Sequence, residues 1–190
     1  MVGKITTTFP VLSIAAWSGT GKTTLLTQLL PRLREAGLNV GVIKHAHHNF
    51  DVDKPGKDSY RLRSAGASPM LVASRQRFAL MQETPGQEEP DLNALLAMMA
   101  HHQPDLVIVE GFKAWPIPKL VLYRAGIGEA SILDDATVQA VALDAEAPIE
   151  LSPSVAELNL NDLDAITRWV LVWASTQPNS PANTIASNDR

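Results

Sequence analysis

Ala16-Trp17-Ser18-Gly19-Thr20-Gly21-Lys22-Thr23-Thr24 is the stretch on which the fold of this 190-residue chain turns. An apolar run, Pro10 to Ala16, leads into it, and a segment of helical composition opens near Gly21. A strand that feeds a glycine-rich turn and then a helix brings successive main-chain N–H groups and the positive helix end onto one anion. Each residue has a reason in that setting. Gly19 and Gly21 allow positive φ and a close backbone approach, Lys22 supplies a mobile ammonium to β and γ phosphate oxygens, and Thr23 offers its hydroxyl to Mg²⁺. Ser18, Gly19, Thr20, Gly21, Lys22, Thr23 and Thr24 are therefore the candidate nucleotide-binding residues. The pattern of glycine, four residues, then Gly-Lys-Ser/Thr has one departure, because Ala16 stands in place of the first glycine. A methyl at the strand end need not block the phosphate, since the later glycines line the cradle.

Outward from the loop, leucines at 25, 26, 29, 30 and 33 have helical spacing. Pro31 is expected to kink or break that helix and Gly37 to end it. Val40 to Lys44 reads as a second strand, so the first third is one parallel crossover unit. A polar loop follows from His45 to Lys57, then a short helix from Asp58 to Ala65 capped by Asp58 or Ser59. Pro69 to Ser74 and Arg77 to Met81 read as two strands joined by a tight turn, and 82–90 as an exposed linker. Asp91 caps a helix through about Ala100, in which Met98 and Met99 are core filler. Leu106 to Val109 is a continuous apolar run of the kind buried on both faces of a sheet, with Glu110-Gly111 at its carboxyl end. Lys119 to Tyr123, Val138 to Leu143 and Ile149 to Leu151 supply further strands, and Leu163 to Ala174 the closing helix.

The alternation predicts an α/β fold of the P-loop NTPase type, a mostly parallel sheet with helices on both faces and ligands at the carboxyl ends of the strands. Residues 1–174 form the nucleotide-binding domain, with room for a small β appendage within 67–85, and 175–190 read as a disordered tail.

A net charge of −4 with 45% hydrophobic residues fits one soluble domain and argues against a dedicated nucleic-acid or anionic-membrane binder. The chain has no cysteine, which excludes disulfides and cysteine-ligated zinc and suits a cytoplasmic setting. No apolar run approaches bilayer length. Lys4 ahead of the Phe9 to Trp17 run imitates a signal peptide, but cleavage near Ala15 or Ala16 would remove the strand that anchors the loop, so the run reads as strand one.

A nucleoside triphosphate on such a loop needs Mg²⁺, which takes a hydroxyl, one or two carboxylates and retained waters. Thr23 provides the hydroxyl. Glu110, at the end of a neighbouring buried strand, is the candidate catalytic carboxylate, binding the metal through a water or orienting the attacking water. Asp51 and Asp53 lie in the loop after strand two, and one of them is placed to reach Mg²⁺. Lys44, Lys54, Lys57 and Arg61 offer a second anion site. His45, His47 and His48 lack a zinc pattern and read as polar loop residues near the phosphates. Trp17 either packs on the first helix or shields the phosphates. Without a family, the residues leave open a slow nucleotide-dependent adaptor, a small-molecule kinase, and a binding module for a phosphorylated metabolite that performs no hydrolysis.

Four segments, Ala16 to Leu25, Val42 to His48, Asp51 to Ser59 and Val109 to Lys113, resemble the molybdopterin-guanine dinucleotide biosynthesis protein B family. The resemblance implies a GTP-binding, weakly hydrolysing, homodimeric adaptor that assists the guanylyltransferase joining GMP to molybdopterin. It implies GTP and Mg²⁺ as cofactors, binding by Gly19 to Thr24, and Asp53 and Glu110 as the Mg²⁺ carboxylates. No Asn-Lys-x-Asp segment is present, so guanine preference follows from the resemblance alone. Asp144, after a late strand, is a candidate base contact.

Overall fold

The computed structural model describes residues 5–46, 50–144 and 149–180. The chain divides into two units: Ala46–Pro90 is one, and the segments flanking it form the other.

The flanking segments build a six-stranded sheet in which every pairing is parallel. Its strands are β1 (Val11–Ala15), β2 (Val40–Lys44), β5 (Leu106–Glu110), β6 (Lys119–Tyr123), β7 (Val138–Leu143) and β8 (Ala156–Asn159), in the order β2-β5-β1-β6-β7-β8. Parallel neighbours need crossovers, and two of them carry the helices α1 (Lys22–Glu35) and α3 (Leu92–Ala100), while α4 (Leu163–Thr176) follows the last strand. The alternation of side chains along β1 separates two cores. Leu12 and Ile14 pack with Leu25, Leu26, Leu29 and Leu33 of α1 and with Ile166, Val170 and Trp173 of α4. Val11 packs with Ile43, Val107 and Val109 and with Leu92 and Leu96 of α3. Leu106 to Val109 are fully buried, which explains why that strand is apolar without alternation. Beyond α3 the same face is closed by a 3₁₀ turn, Ala130–Leu133, and by Ile149, Leu151 and Val155.

Met98, expected as core filler, is exposed, and only Met99 packs against the core. Four further expectations need correction. α1 runs unbroken through Pro31, because buried leucines before and after it hold the helix on the sheet and outweigh the lost hydrogen bond of about 3 kcal/mol. Ile149 to Leu151 is not a strand: the edge strand is β8, and Ile149 and Leu151 only cover the sheet. α4 continues two residues past Ala174 to Thr176, into the stretch expected as a tail; residues 181–190 lie outside the described residues.

In the second unit, α2 (Asp58–Ser64) has Lys57 as its N-cap with no side-chain cap, so neither Asp58 nor Ser59 caps it, which is the fourth correction. Asp58 sits instead in the first turn, where its charge suits the helix end. β3 (Met70–Ala73) and β4 (Phe78–Met81) pair as an antiparallel ribbon. Leu71, Phe78 and Leu80 on this ribbon are exposed. Arg63 organises the unit: it bonds both oxygens of Asp51 at 2.6 and 2.7 Å and Glu83 at 3.2 Å, and lies over the Tyr60 ring. Among the described residues no helix is long and apolar enough to cross a membrane.

Candidate functional site

The loop between β1 and α1 adopts the conformation its glycines allow. Gly19 has φ 83° and Gly21 has φ 109°, and a Cβ on either would meet nothing within 4 Å, so the glycines are required by backbone shape. Gly21 is the N-cap of α1 and offers no side-chain cap, and the first turn holds no acid. The Leu25 amide bonds the Gly21 carbonyl at 2.9 Å, which makes it the first intrahelical bond. The amides of Lys22, Thr23 and Thr24 therefore have no helical carbonyl to donate to. That uncapped, acid-free helix end fits an oxyanion.

Three interactions hold the loop from below. The Lys22 Nζ donates to the Ala16 carbonyl at 3.0 Å and to the Trp17 carbonyl at 3.1 Å. Thr20, which is buried, donates its hydroxyl to the Trp17 carbonyl at 2.9 Å. Arg124, just past β6, donates to the Thr20 carbonyl at 3.1 Å and pairs with Asp144 at 3.8 Å. Ala16, which stands in place of the first glycine, is itself buried in the core. Ser18, Thr23 and Thr24 are exposed. Trp17 does not pack as a core residue. Its Nε1 donates to the Glu129 carbonyl at 2.9 Å, and the Lys113 Nζ lies 4.3 Å from the ring centre.

Glu110 ends β5, directly between the two neighbouring strands, paired in register with Ile14 of β1 and Lys44 of β2. Its side chain is 14% exposed and its Oε2 lies 3.5 Å from the Lys44 Nζ. The charges of this corner are felt at Lys22: burial lowers its pKa, Glu110 opposes that, and Lys113 and Lys44 lower it further. Lys22, Glu110, Lys44 and Lys113 thus form one electrostatic neighbourhood at the carboxyl end of the sheet.

Asp53 belongs to the second unit. Its Oδ1 accepts from the Ser59 hydroxyl and the Lys54 amide, both at 2.9 Å. Its Oδ2 is buried without a hydrogen bond, 3.9 Å from the Arg63 Nε. Asp51 has no such oxygen, since Arg63 takes both; the Asp53 amide, and then Arg63, hold its carboxyl below the ordinary range. Of the two aspartates, Asp53 is the one that keeps an oxygen without a hydrogen bond. Lys54, Lys57 and Arg61 are exposed in this same unit.

The His45 amide bonds the Glu110 carbonyl at 2.8 Å and its ring packs on Phe112 with centroids 4.8 Å apart. His47 and His48 lie outside the described residues. Among the described residues no three histidine or carboxylate side chains gather as a ready metal cage. Mg²⁺ fits the donors present all the same, because that ion takes few protein oxygens and completes its shell with phosphate and water. Within the sheet unit, Thr23 and Glu110 supply oxygens of the right kind.

Arg124 and Lys113 were not assigned roles by sequence reasoning. Lys113 stands in the quoted Val109 to Lys113 segment, which is the signal that could have found it. Arg124 has no local signal, since its role depends on β6 lying beside β1.

Comparison with known proteins agrees with this geometry. Residues 11–144 match the model of the family described as molybdopterin guanine dinucleotide synthesis protein B. The chain is 50% identical over 179 residues to the molybdopterin-guanine dinucleotide biosynthesis adapter protein of Escherichia coli, covering 93% of this chain and 99% of that one. It is 43% identical over 164 residues to the Haemophilus influenzae adapter protein, covering 86% and 89%. The crystal structure of a MobB protein homolog from Bacillus stearothermophilus superposes with a TM-score of 0.68 at 26% identity, over 88% of this chain and 99% of that chain.

Proposed function

The chain belongs to the molybdopterin-guanine dinucleotide synthesis protein B family, and from that premise we propose that it is a GTP-binding, slowly hydrolysing adaptor in molybdenum cofactor biosynthesis. It works in the cytoplasm beside the guanylyltransferase that joins GMP to molybdopterin. The observation that carries the reading is the uncapped start of α1 with the Lys22 ammonium folded over the same loop. Main-chain amides of Lys22, Thr23 and Thr24 take the phosphate charge, and Lys22 moves from the Ala16 and Trp17 carbonyls to phosphate oxygens, a stronger acceptor.

Bound Mg²⁺ would supply positive charge that offsets the charge of the phosphates. Thr23 would hold the ion through its hydroxyl, with Asp53 as the carboxylate that the family resemblance implies. Glu110, 3.5 Å from the Lys44 ammonium, would contact the metal through a water or orient the attacking water. Arg124 is committed to the Thr20 carbonyl and Asp144, so its role is to brace the loop. That supports slow turnover: no arginine among these residues is left to offset developing charge on the phosphates. Asp144 by the same pairing is a loop brace before it is a base contact. Exposed Leu71, Phe78 and Leu80 on the β3–β4 ribbon support a homodimer, since a two-stranded ribbon is marginal alone and gains by pairing with a second copy.

Thermal melting with GTP, ATP and GDP in Mg²⁺ tests the reading. A ligand at 100 times its Kd stabilises by about 2.7 kcal/mol. GTP is expected to raise Tm in the wild type and not in Lys22→Ala; an equal rise in both sinks the loop assignment, and an equal rise with ATP sinks the guanine preference.

A further inference from the structure

The turn after β5 is more constrained than a strand end requires. Gly111 has φ 93° and Phe112 has φ 51°. The second value is uncommon for any residue but glycine and unfavourable for a bulky one. Packing enforces it. Phe112 is buried, stacks against His45, and meets Trp115 edge-on at 6.4 Å. Gly111 lies so close to His45 that a Cβ there would fall 2.5 Å from the histidine Cβ. Conformations of this kind persist where the surroundings over-determine them, and they gather at sites that need a group aimed.

What the turn aims is Lys113. Its backbone follows the two left-handed residues directly, its side chain is exposed, and its ammonium sits 4.3 Å over the ring of Trp17 in the phosphate loop. The ring is anchored in its turn by the bond from Nε1 to Glu129 and by Gly128 beneath it. Both the lysine and its platform are thus held, while the contact between them is of the weak, exposed cation–π kind.

We propose that Lys113 is a ligand for the terminal phosphate, the group by which this loop distinguishes a nucleoside triphosphate from a diphosphate. The proposal rests on the nucleotide-binding reading above. Lys22 meets the carbonyl of Trp17 and Lys113 meets its ring, so two ammonium groups converge on one loop residue from two elements. Lys113 lies in the turn that follows Glu110 at the end of β5, the side where the reading places the metal and the attacking water, which is the γ end. The repulsion that Lys113 exerts on Lys22 is relieved when an anion lies between them. A phosphate oxygen is the better partner for the Lys113 ammonium than an exposed ring, so Trp17 serves as its resting place.

Isothermal titration of the full chain with GTP and with GDP, both in Mg²⁺, tests this on the wild type, Lys113→Met, Lys113→Arg and Lys22→Ala. Lys113→Met keeps the stem and is expected to weaken GTP by about tenfold or more while GDP changes by less than about twofold. Lys113→Arg keeps the charge and is expected to retain the preference for GTP. Equal loss of both nucleotides in Lys113→Met, or loss of neither, overturns the proposal while leaving the loop assignment standing. Undiminished binding by Lys22→Ala, or no binding by the wild type, overturns the loop assignment and the proposal with it.

Discussion

Gly128→Ala measures how firmly Trp17 is held. Gly128 has φ 71°, and a Cβ there would fall 2.1 Å from two ring carbons of Trp17 and 2.6 Å from a third. Carbon atoms pack at about 3.5–4.0 Å, so the ring or the turn must move by more than about 1 Å. The ring has no cheap escape, because Nε1 is bonded to the Glu129 carbonyl and Lys113 covers the face. A left-handed backbone costs an alanine about 1–2 kcal/mol, and an overpacked contact adds about 1–3 kcal/mol. Gly126 separates the two costs: it has φ 77° in the same loop, and a Cβ there would meet nothing within 4 Å. Gly126→Ala therefore pays the backbone cost alone. For a chain of this size 1 kcal/mol moves Tm by about 2–4 °C, so Gly128→Ala is expected to melt about 2–12 °C below Gly126→Ala. Scanning calorimetry reads the difference, and tryptophan fluorescence should shift in Gly128→Ala only. Identical melting of the two variants would refute the clamp and remove the platform on which Lys113 is argued to rest.

Three further outcomes follow from packing and charge. Lys119 is almost fully buried, with its Nζ on the Trp115 carbonyl at 2.9 Å, the Thr137 hydroxyl at 2.6 Å and Asp135 at 2.8 Å, so Lys119→Met is expected to cost about 2–4 kcal/mol in urea unfolding. Burial alone would raise the Asp135 pKa, but the hydrogen bonds from Lys119 and Thr137 hold it below the ordinary 3.8. Its stabilising effect is therefore complete above that value and lost as pH falls below it; Tm plotted against acid pH should be flatter in Lys119→Met, and parallel curves would contradict the pairing. Arg63→Ala leaves Asp51, Asp53 and Glu83 without their shared cation, so amides around 50–64 should exchange faster while those of β1 and β5 keep their protection; unchanged exchange there would show that Arg63 is not the hub. Leu29→Ala, at a fully buried position on α1, is expected to lose about 2–5 kcal/mol, measured by the urea midpoint.

The strands nearest the loop were legible because their signals are local. Apolar runs at 106–109 and 138–143 and the glycine turn at 19–21 are read from neighbours in sequence, and β5, β7 and the start of α1 stand where expected. β8 was missed because Ala156-Glu-Leu-Asn159 is short and half polar, as an edge strand can be, whereas Ile149 and Leu151 look like a strand and only roof one. Pro31 misled because its local cost is visible in sequence and the packing that overrides it is not. The site divides the same way. Gly19, Gly21, Lys22 and Glu110 are motif positions, but the braces, Arg124 on Thr20 and Glu129 on Trp17, join residues more than a hundred positions apart. No pattern in the sequence announces such a contact. Where the Arg63 guanidinium points, onto both oxygens of Asp51, is likewise something composition cannot tell.

The strand order has a consequence for how this chain is made. β1 and β2 emerge first from the ribosome, yet they never touch: β5 lies between them, Val11 pairing with Val107 and Val40 with Leu106. A nascent chain that has grown as far as Ala100 already contains the entire phosphate loop and has no sheet on which to mount it. Closing such distant pairs is slow, while the β3–β4 ribbon between them forms within about 1–10 μs. The sheet edges of β1 and β2 that face each other therefore stay unpaired until the chain has grown past residue 110 and β5 can enter between them.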